Sequence, residues 1–203
     1  MLVFSLKHLY TFSLCSADRD AEILDNCATN AHLNSFMFKH HEASVHVHEL
    51  DWKKSWPPSA ETCDLAAKRS EYSWTLSEIE EAERVSLLLA ADVIYSDELT
   101  DSFFSVLESL MSRGSKKVLY MSLEKRFNFS LDDLDVVANG YLHFRSFLRD
   151  EECSRLEDSS TACFMAKQID LAGLPQYIRE YERGKDLEIW KIAYVAVTGS
   201  NAA

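Results

Sequence analysis

The chain has 203 residues, 47% of them hydrophobic, and carries a formal net charge of -12. That length supports one domain with a real core, and that composition excludes global disorder. The charge excludes nucleic-acid affinity carried by the surface, which needs clustered Lys and Arg, and fits a basic protein or peptide partner.

The start, Met1 to Lys7, is apolar but short. Lys7 and His8 interrupt it before anything like a secretory signal forms. No run approaches the roughly 18 residues of a membrane helix, so no membrane partner is expected. Leu9 to Cys15 reads as a strand that ends at Ser16-Ala17-Asp18. From Asp20 to Leu33, the apolar residues Ile23, Leu24, Cys27, Ala28 and Ala31 follow helical spacing. Val45 to Leu50 alternates with period two, as a strand does, and closes at Asp51-Trp52. Residues 53–84 form an insertion loop around Pro57-Pro58. Ser77 with Glu80 or Glu81 starts a short acidic helix within it.

Leu87-Leu88-Leu89-Ala90-Ala91-Asp92-Val93-Ile94-Tyr95-Ser96 is the most informative stretch. An unbroken apolar run belongs to a strand buried on both faces, in a parallel sheet covered by helices. In open α/β sheets, ligands bind just beyond the carboxyl ends of the strands, which is where Asp92 and Tyr95 fall. Asp97 or Thr100 caps a following helix through Leu110, which Gly114 stops. Lys117 to Leu123 is the next strand, and Glu124-Lys125-Arg126 ends it. The spacing predicts a helix over Leu131–Leu148, weakened by Val136-Val137 and Gly140. Ala162–Ile169 and Leu187–Val197 are late strands that can pair as an antiparallel hairpin. Helix–strand alternation of this kind predicts an α/β fold with a mostly parallel sheet, in one domain over 1–203.

The five cysteines, Cys15, Cys27, Cys63, Cys153 and Cys163, form no C-x-x-C pair. They read as reduced thiols of an intracellular protein, in nucleus or cytoplasm. His46 and His48 share one strand face, with His40 and His41 upstream. No nearby Cys or second close pair completes a site, and solvent-facing histidines on an edge strand account for the pattern, so no metal is expected. The five glycines, Gly114, Gly140, Gly173, Gly184 and Gly199, are too far apart to build a phosphate-cradling loop.

The order of elements resembles the Rossmann-like seven-β-strand fold of the S-adenosylmethionine-dependent methyltransferases, lacking the first strand and its glycine-rich loop. Ala91-Asp92-Val93-Ile94-Tyr95 is similar to the Asp-x-x-Tyr signature of the lysine-directed subgroup called methyltransferase family 16. Ser122 to Phe129, Asp135 to Phe144 and Leu187 to Ile192 extend the likeness, which runs from about residue 9 to residue 198. The resemblance implies a protein-lysine N-methyltransferase, a monomer acting on a protein substrate with a target lysine. It implies Asp92 and Tyr95 as catalytic residues. It places Asp18 on the ribose of S-adenosylmethionine, with Asp51, Trp52 and Ala91 also at the cofactor.

Structural duties compete with these roles. Asp92 could cap the following helix, and Asp18 could cap the one beginning near Asp20. Glu124 and Lys125 read best as solvated charges. The family's glycine turn has no counterpart here, so a truncated gene model, a splice form or a fragment is expected, with weak cofactor binding. Poor folding is expected unless Met1–Leu6 or the two flanking strands close the gap at the centre of the sheet. The alternative to an impaired enzyme is a non-catalytic binding or regulatory module that keeps the substrate-side surface.

Overall fold

A computed structural model describes residues 2–5, 11–16, 21–37, 44–60, 71–130, 134–150 and 162–196. Its main sheet has eight strands: β1 (Leu2–Ser5), β2 (Thr11–Ser16), β3 (Ser44–Glu49), β4 (Leu87–Ala91), β5 (Val118–Glu124), β8 (Leu148–Asp150), β9 (Cys163–Gln168) and β10 (Leu187–Val195). Their spatial order is β3-β2-β1-β4-β5-β10-β9-β8. The pairs β2–β3, β4–β5 and β8–β9 are parallel. Only β1 and β10 run against the rest, each antiparallel to both of its neighbours. The sheet is therefore mostly parallel by strand direction, as the alternation of elements predicts. A separate hairpin joins β6 (Asn128–Ser130) to β7 (Asp135–Val137).

The centre of the sheet is closed by the amino-terminal segment. Leu2 stands between Cys15 and Ala90, and Ser5 between Phe12 and Leu87. Without β1, both β2 and β4 would present unpaired backbone groups along one side, and buried unpaired groups are costly. Of the two ways to fill the gap, the chain uses its own first residues.

The helices are α1 (Ala21–Leu33), α2 (Leu76–Arg84), α3 (Asp97–Met111) and α4 (Asn139–Ser146). Helix α1 packs on β2 and β3, and α3 packs on β10 and α4. Helix α3 buries Phe103, Phe104, Val106, Leu107 and Leu110 on one face, which is the helical spacing of its sequence. Phe104 is the hub of the core, with ring contacts to Phe103, Phe144, Phe147 and Phe164. Truncating such a ring typically costs about 3–5 kcal/mol.

Four sequence expectations are corrected. Residues 131–148 are not one helix: β7 and the short α4 share that span, while 131–133 lie outside the described residues. The β-branched pair Val136-Val137 favours extended backbone and outweighs the apolar spacing. Leu134, at φ 51, supplies a left-handed turn residue ahead of β7. Helix α2 starts at a Thr75–Glu78 capping box rather than at Ser77. Helix α3 is capped by Ser96, whose Oγ accepts from the Leu99 N–H at 3.3 Å, rather than by Asp97 or Thr100. Strand β4 is covered on one face only: Leu88 and Ala90 are buried, while Leu89 and Ala91 are exposed.

Candidate functional site

The parallel directions of β3 and β4 put Asp51 and Asp92 at the same edge of the sheet, just past the carboxyl ends of their strands. Asp18, two residues beyond β2, lies outside the described residues, as do His40 and His41. Among the described residues, no glycine-rich turn stands at this edge.

Asp92 is held by backbone and side chain alike. Its φ of 49 is left-handed, a conformation uncommon for any residue but glycine and tolerated best by Asn and Asp. Its N–H donates to the Ser122 carbonyl at 3.0 Å, which continues the β4–β5 ladder by one residue. Val93 is fully buried and Ile94 packs against the core, so the loop is anchored between the two polar residues. Asp92 and Tyr95 are left facing outward, with Tyr95 60% exposed. The capping duty falls to Ser96, which frees Asp92 from the structural role that competed with a functional one.

Sequence reasoning missed Arg126. Its Nη2 donates to both carboxylate oxygens of Asp92, at 2.9 and 2.8 Å. Its guanidinium carbon lies 5.6 Å from the centre of the Tyr95 ring. A cation thus already sits on the carboxylate and against the aromatic face. The pair is half-exposed on both sides, so its strength is that of a surface salt bridge, about 0–1 kcal/mol. No local signal marks Arg126, because strand pairing alone carries it to Asp92.

Glu124 is exposed, whereas Lys125 is not a plain solvated charge. Its Nζ lies 2.6 Å from Glu188 Oε1 and 4.5 Å from the centre of the Tyr141 ring. Glu188 also accepts from Tyr141 Oη at 3.0 Å and from Trp190 Nε1 at 2.8 Å. Burial alone would push the Glu188 carboxyl up; the hydrogen bonds from Lys125, Trp190 and Tyr141 together hold it below its ordinary value. The bond to Glu188 raises the Lys125 amine, against the opposing pull of burial.

On the β3 side, Asp51 Oδ1 accepts from the Lys53 N–H at 3.1 Å, tying its own turn. Lys53 Nζ then reaches Glu98 at 2.9 Å, which links this turn to the start of α3. Trp52 is a core residue, 5% exposed, with its ring 4.8 Å from that of Phe103. Its Nε1 is buried with no hydrogen-bond partner. Such an orphaned donor typically costs about 1–3 kcal/mol. A cleft of about 230 Å³ opens here, lined by Asp51, Lys54, Ser55, Tyr72 and Trp74 among others. That is below the roughly 300–1,000 Å³ of most small-molecule sites. Ala91 ends β4 exposed, beside Asp92.

Of the residues that the resemblance puts at the cofactor, Asp51 lines this cleft and Trp52 does not. For the methionine end, the described residues offer no glycine turn through which backbone could approach. Among the described residues, no helix is long and apolar enough to cross a membrane.

Comparison with known proteins places the chain in a family. No family model matches the chain. It is 36% identical over 184 residues to human methyltransferase-like protein 22, covering 89% of this chain. The mouse methyltransferase-like protein 22 is 36% identical over 177 residues, covering 86% of this chain. The chain spans 42% of the length of each of these curated relatives. With the mixed α/β sheet and the Asp92–Tyr95 loop at its carboxyl edge, the chain belongs to the methyltransferase-like protein 22 family.

Proposed function

We propose that the chain carries the chemistry of an S-adenosylmethionine-dependent protein-lysine N-methyltransferase, with donor binding weakened. The observation that carries this reading is the Asp92–Arg126–Tyr95 constellation: a carboxylate and an aromatic face already gripping a cation at the carboxyl edge. S-adenosylmethionine supplies an electrophilic methyl group. The protein's part is then to align a lysine nitrogen, hold it uncharged at the moment of attack and exclude water. Asp92 takes the incoming ammonium in place of Arg126 and receives hydrogen bonds from it. The Tyr95 ring holds the ammonium by cation–π attraction; once a proton has passed to solvent, its hydroxyl positions the neutral nitrogen, which would take the methyl as the S–CH3 bond breaks and the donor leaves as a neutral thioether.

Two further features support a protein substrate. The β6–β7 hairpin, which follows Arg126, exposes Phe129, Leu134 and Val136, an apolar surface suited to a polypeptide. The net charge of -12 favours basic partners. Cytosol and nucleus both suit the reduced cysteines, and neither a nucleic acid nor a membrane is needed.

Asp51, Trp52 and Ala91 belong to the donor side in this reading, and Asp18 to the ribose. The second reading, a non-catalytic module that binds a basic partner, is favoured by β1. That strand runs antiparallel between β2 and β4, and among the described residues no glycine-rich turn stands at the carboxyl edge. Calorimetric titration of the chain and of Asp92→Asn with S-adenosylmethionine tests the assignment. Weak binding is expected, about equal in the two proteins, because Asp92 faces the amine. A parallel loss of donor affinity in Asp92→Asn would move the residue to the donor side. Tight binding by the chain would refute the weakened donor site.

A further inference from the structure

The alternation of β3 throws His46 and His48 onto one face of an edge strand. Their rings lie nearly parallel, 7° apart, with centroids 6.2 Å from each other. His46 is exposed, whereas His48 is only 4% exposed and stacks on Trp74 at 4.3 Å. The expectation of solvent-facing histidines therefore fails for His48. Further along the chain, the first turn of α2 brings Glu78 to the same place, with its Oε1 3.8 Å from His48 Nε2. One ligand atom from each of His46, His48 and Glu78 lies within 4.8 Å of the other two. The third ligand that the sequence lacked locally comes from the insertion.

We propose that His46, His48 and Glu78 form a site for a divalent transition-metal ion, with zinc the best match, that pins α2 to the edge of the sheet. Imidazole and carboxylate are zinc donors, and three protein ligands leave a fourth position for water. Calcium and magnesium prefer sets made of oxygen alone. Tetrahedral zinc with bonds of about 2.0–2.1 Å brings ligand atoms to roughly 3.4 Å apart, so the cluster must tighten by about an ångström. The exposed His46 ring can supply that movement. The Glu78 carboxylate is already oriented by its other oxygen, which accepts from the Thr75 N–H at 2.8 Å and from Thr75 Oγ1 at 2.6 Å. Fixing of a ligand from behind is what metal sites require. Helix α2 follows directly on Tyr72, Ser73 and Trp74, which line the cleft beside Asp51. An ion here would order one wall of that cleft, whether or not the chain transfers methyl groups.

The test is calorimetric titration of the metal-stripped full chain with zinc ion alone, repeated with His46→Ala and Glu78→Gln. Gln keeps the capping box, so α2 survives the second substitution. Cobalt(II) absorption supplies an independent reading of coordination. One equivalent should bind, and each variant should weaken binding by at least about tenfold with an unchanged circular dichroism spectrum. The control variant His32→Ala should bind as the parent does. No binding below roughly 100 µM zinc, or affinity equal to the parent's in both His46→Ala and Glu78→Gln, would overturn the proposal.

Discussion

At the scale of single residues, the candidate site turns on which cation Asp92 holds. A single Arg126 nitrogen bridges both Asp92 oxygens, and both groups are more than half exposed, at 57% and 54%. A surface pair of that kind is worth about 0–1 kcal/mol, so in the proposed reading an arriving lysine would displace it at little cost. We expect Arg126→Gln to lower the apparent KM for a protein substrate by up to about fivefold, since 1.4 kcal/mol corresponds to tenfold. Its kcat should change little; a collapse of kcat would make Arg126 part of the machinery rather than a placeholder. Asp92 and Tyr95 were legible because an apolar run stopping at a carboxylate marks the end of a strand. Arg126 was not, because its role depends on the register that sets Ala91 against Ser122. Trp52 is the opposite case: an aromatic at a strand end suggested ligand contact, while its ring belongs to the core and its Nε1 is buried with no hydrogen-bond partner.

At the scale of elements, β5, β10 and α4 are tied together through Glu188, a buried carboxylate in a hydrophobic setting. Its folded-state pKa is held below the usual 4.5, so its contribution is present above that value and lost as pH falls through the lowered one. The Lys125 amine is held above 10.5, so its contribution is complete below that value and lost as pH rises through the raised one. The pair is therefore at full strength between about 4.5 and 10.5. Urea unfolding of Glu188→Gln should show a loss of about 2–4 kcal/mol at neutral pH, because Lys125 loses its charged partner. The difference from the parent protein should shrink as pH falls below 4.5; a difference independent of pH would mean the ion pair does not contribute. Strands β2, β3, β4, β5, β9 and β10 were readable from apolar runs and, for β3, alternation, to within a few residues. The span 131–148 was not. Its apolar spacing suited a helix, but Val136-Val137 and a left-handed Leu134 settle it as a hairpin strand before α4.

At the scale of the whole molecule, the sheet is completed by β1, and the carboxyl edge gathers the loops after β3 and β4. Periodicity fixed the class of fold, because alternating strands and helices leave few alternatives. It could not show that Leu2–Ser5 enters the centre of the sheet, since four residues carry no direction and antiparallel pairing on both sides is a tertiary outcome. Nor could it bring Glu78 to His48, which depends on how the insertion folds back onto the edge strand. The most direct test of the account is transfer of a labelled methyl group from S-adenosylmethionine to a mixture of lysine-bearing proteins, by the chain and by Asp92→Asn. The account predicts slow incorporation into lysine side chains, reduced at least about tenfold in Asp92→Asn, a loss of 1.4 kcal/mol or more in transition-state stabilisation. Incorporation into another residue type, equal incorporation by the two proteins, or none by either would contradict it, the last in favour of a module that only binds.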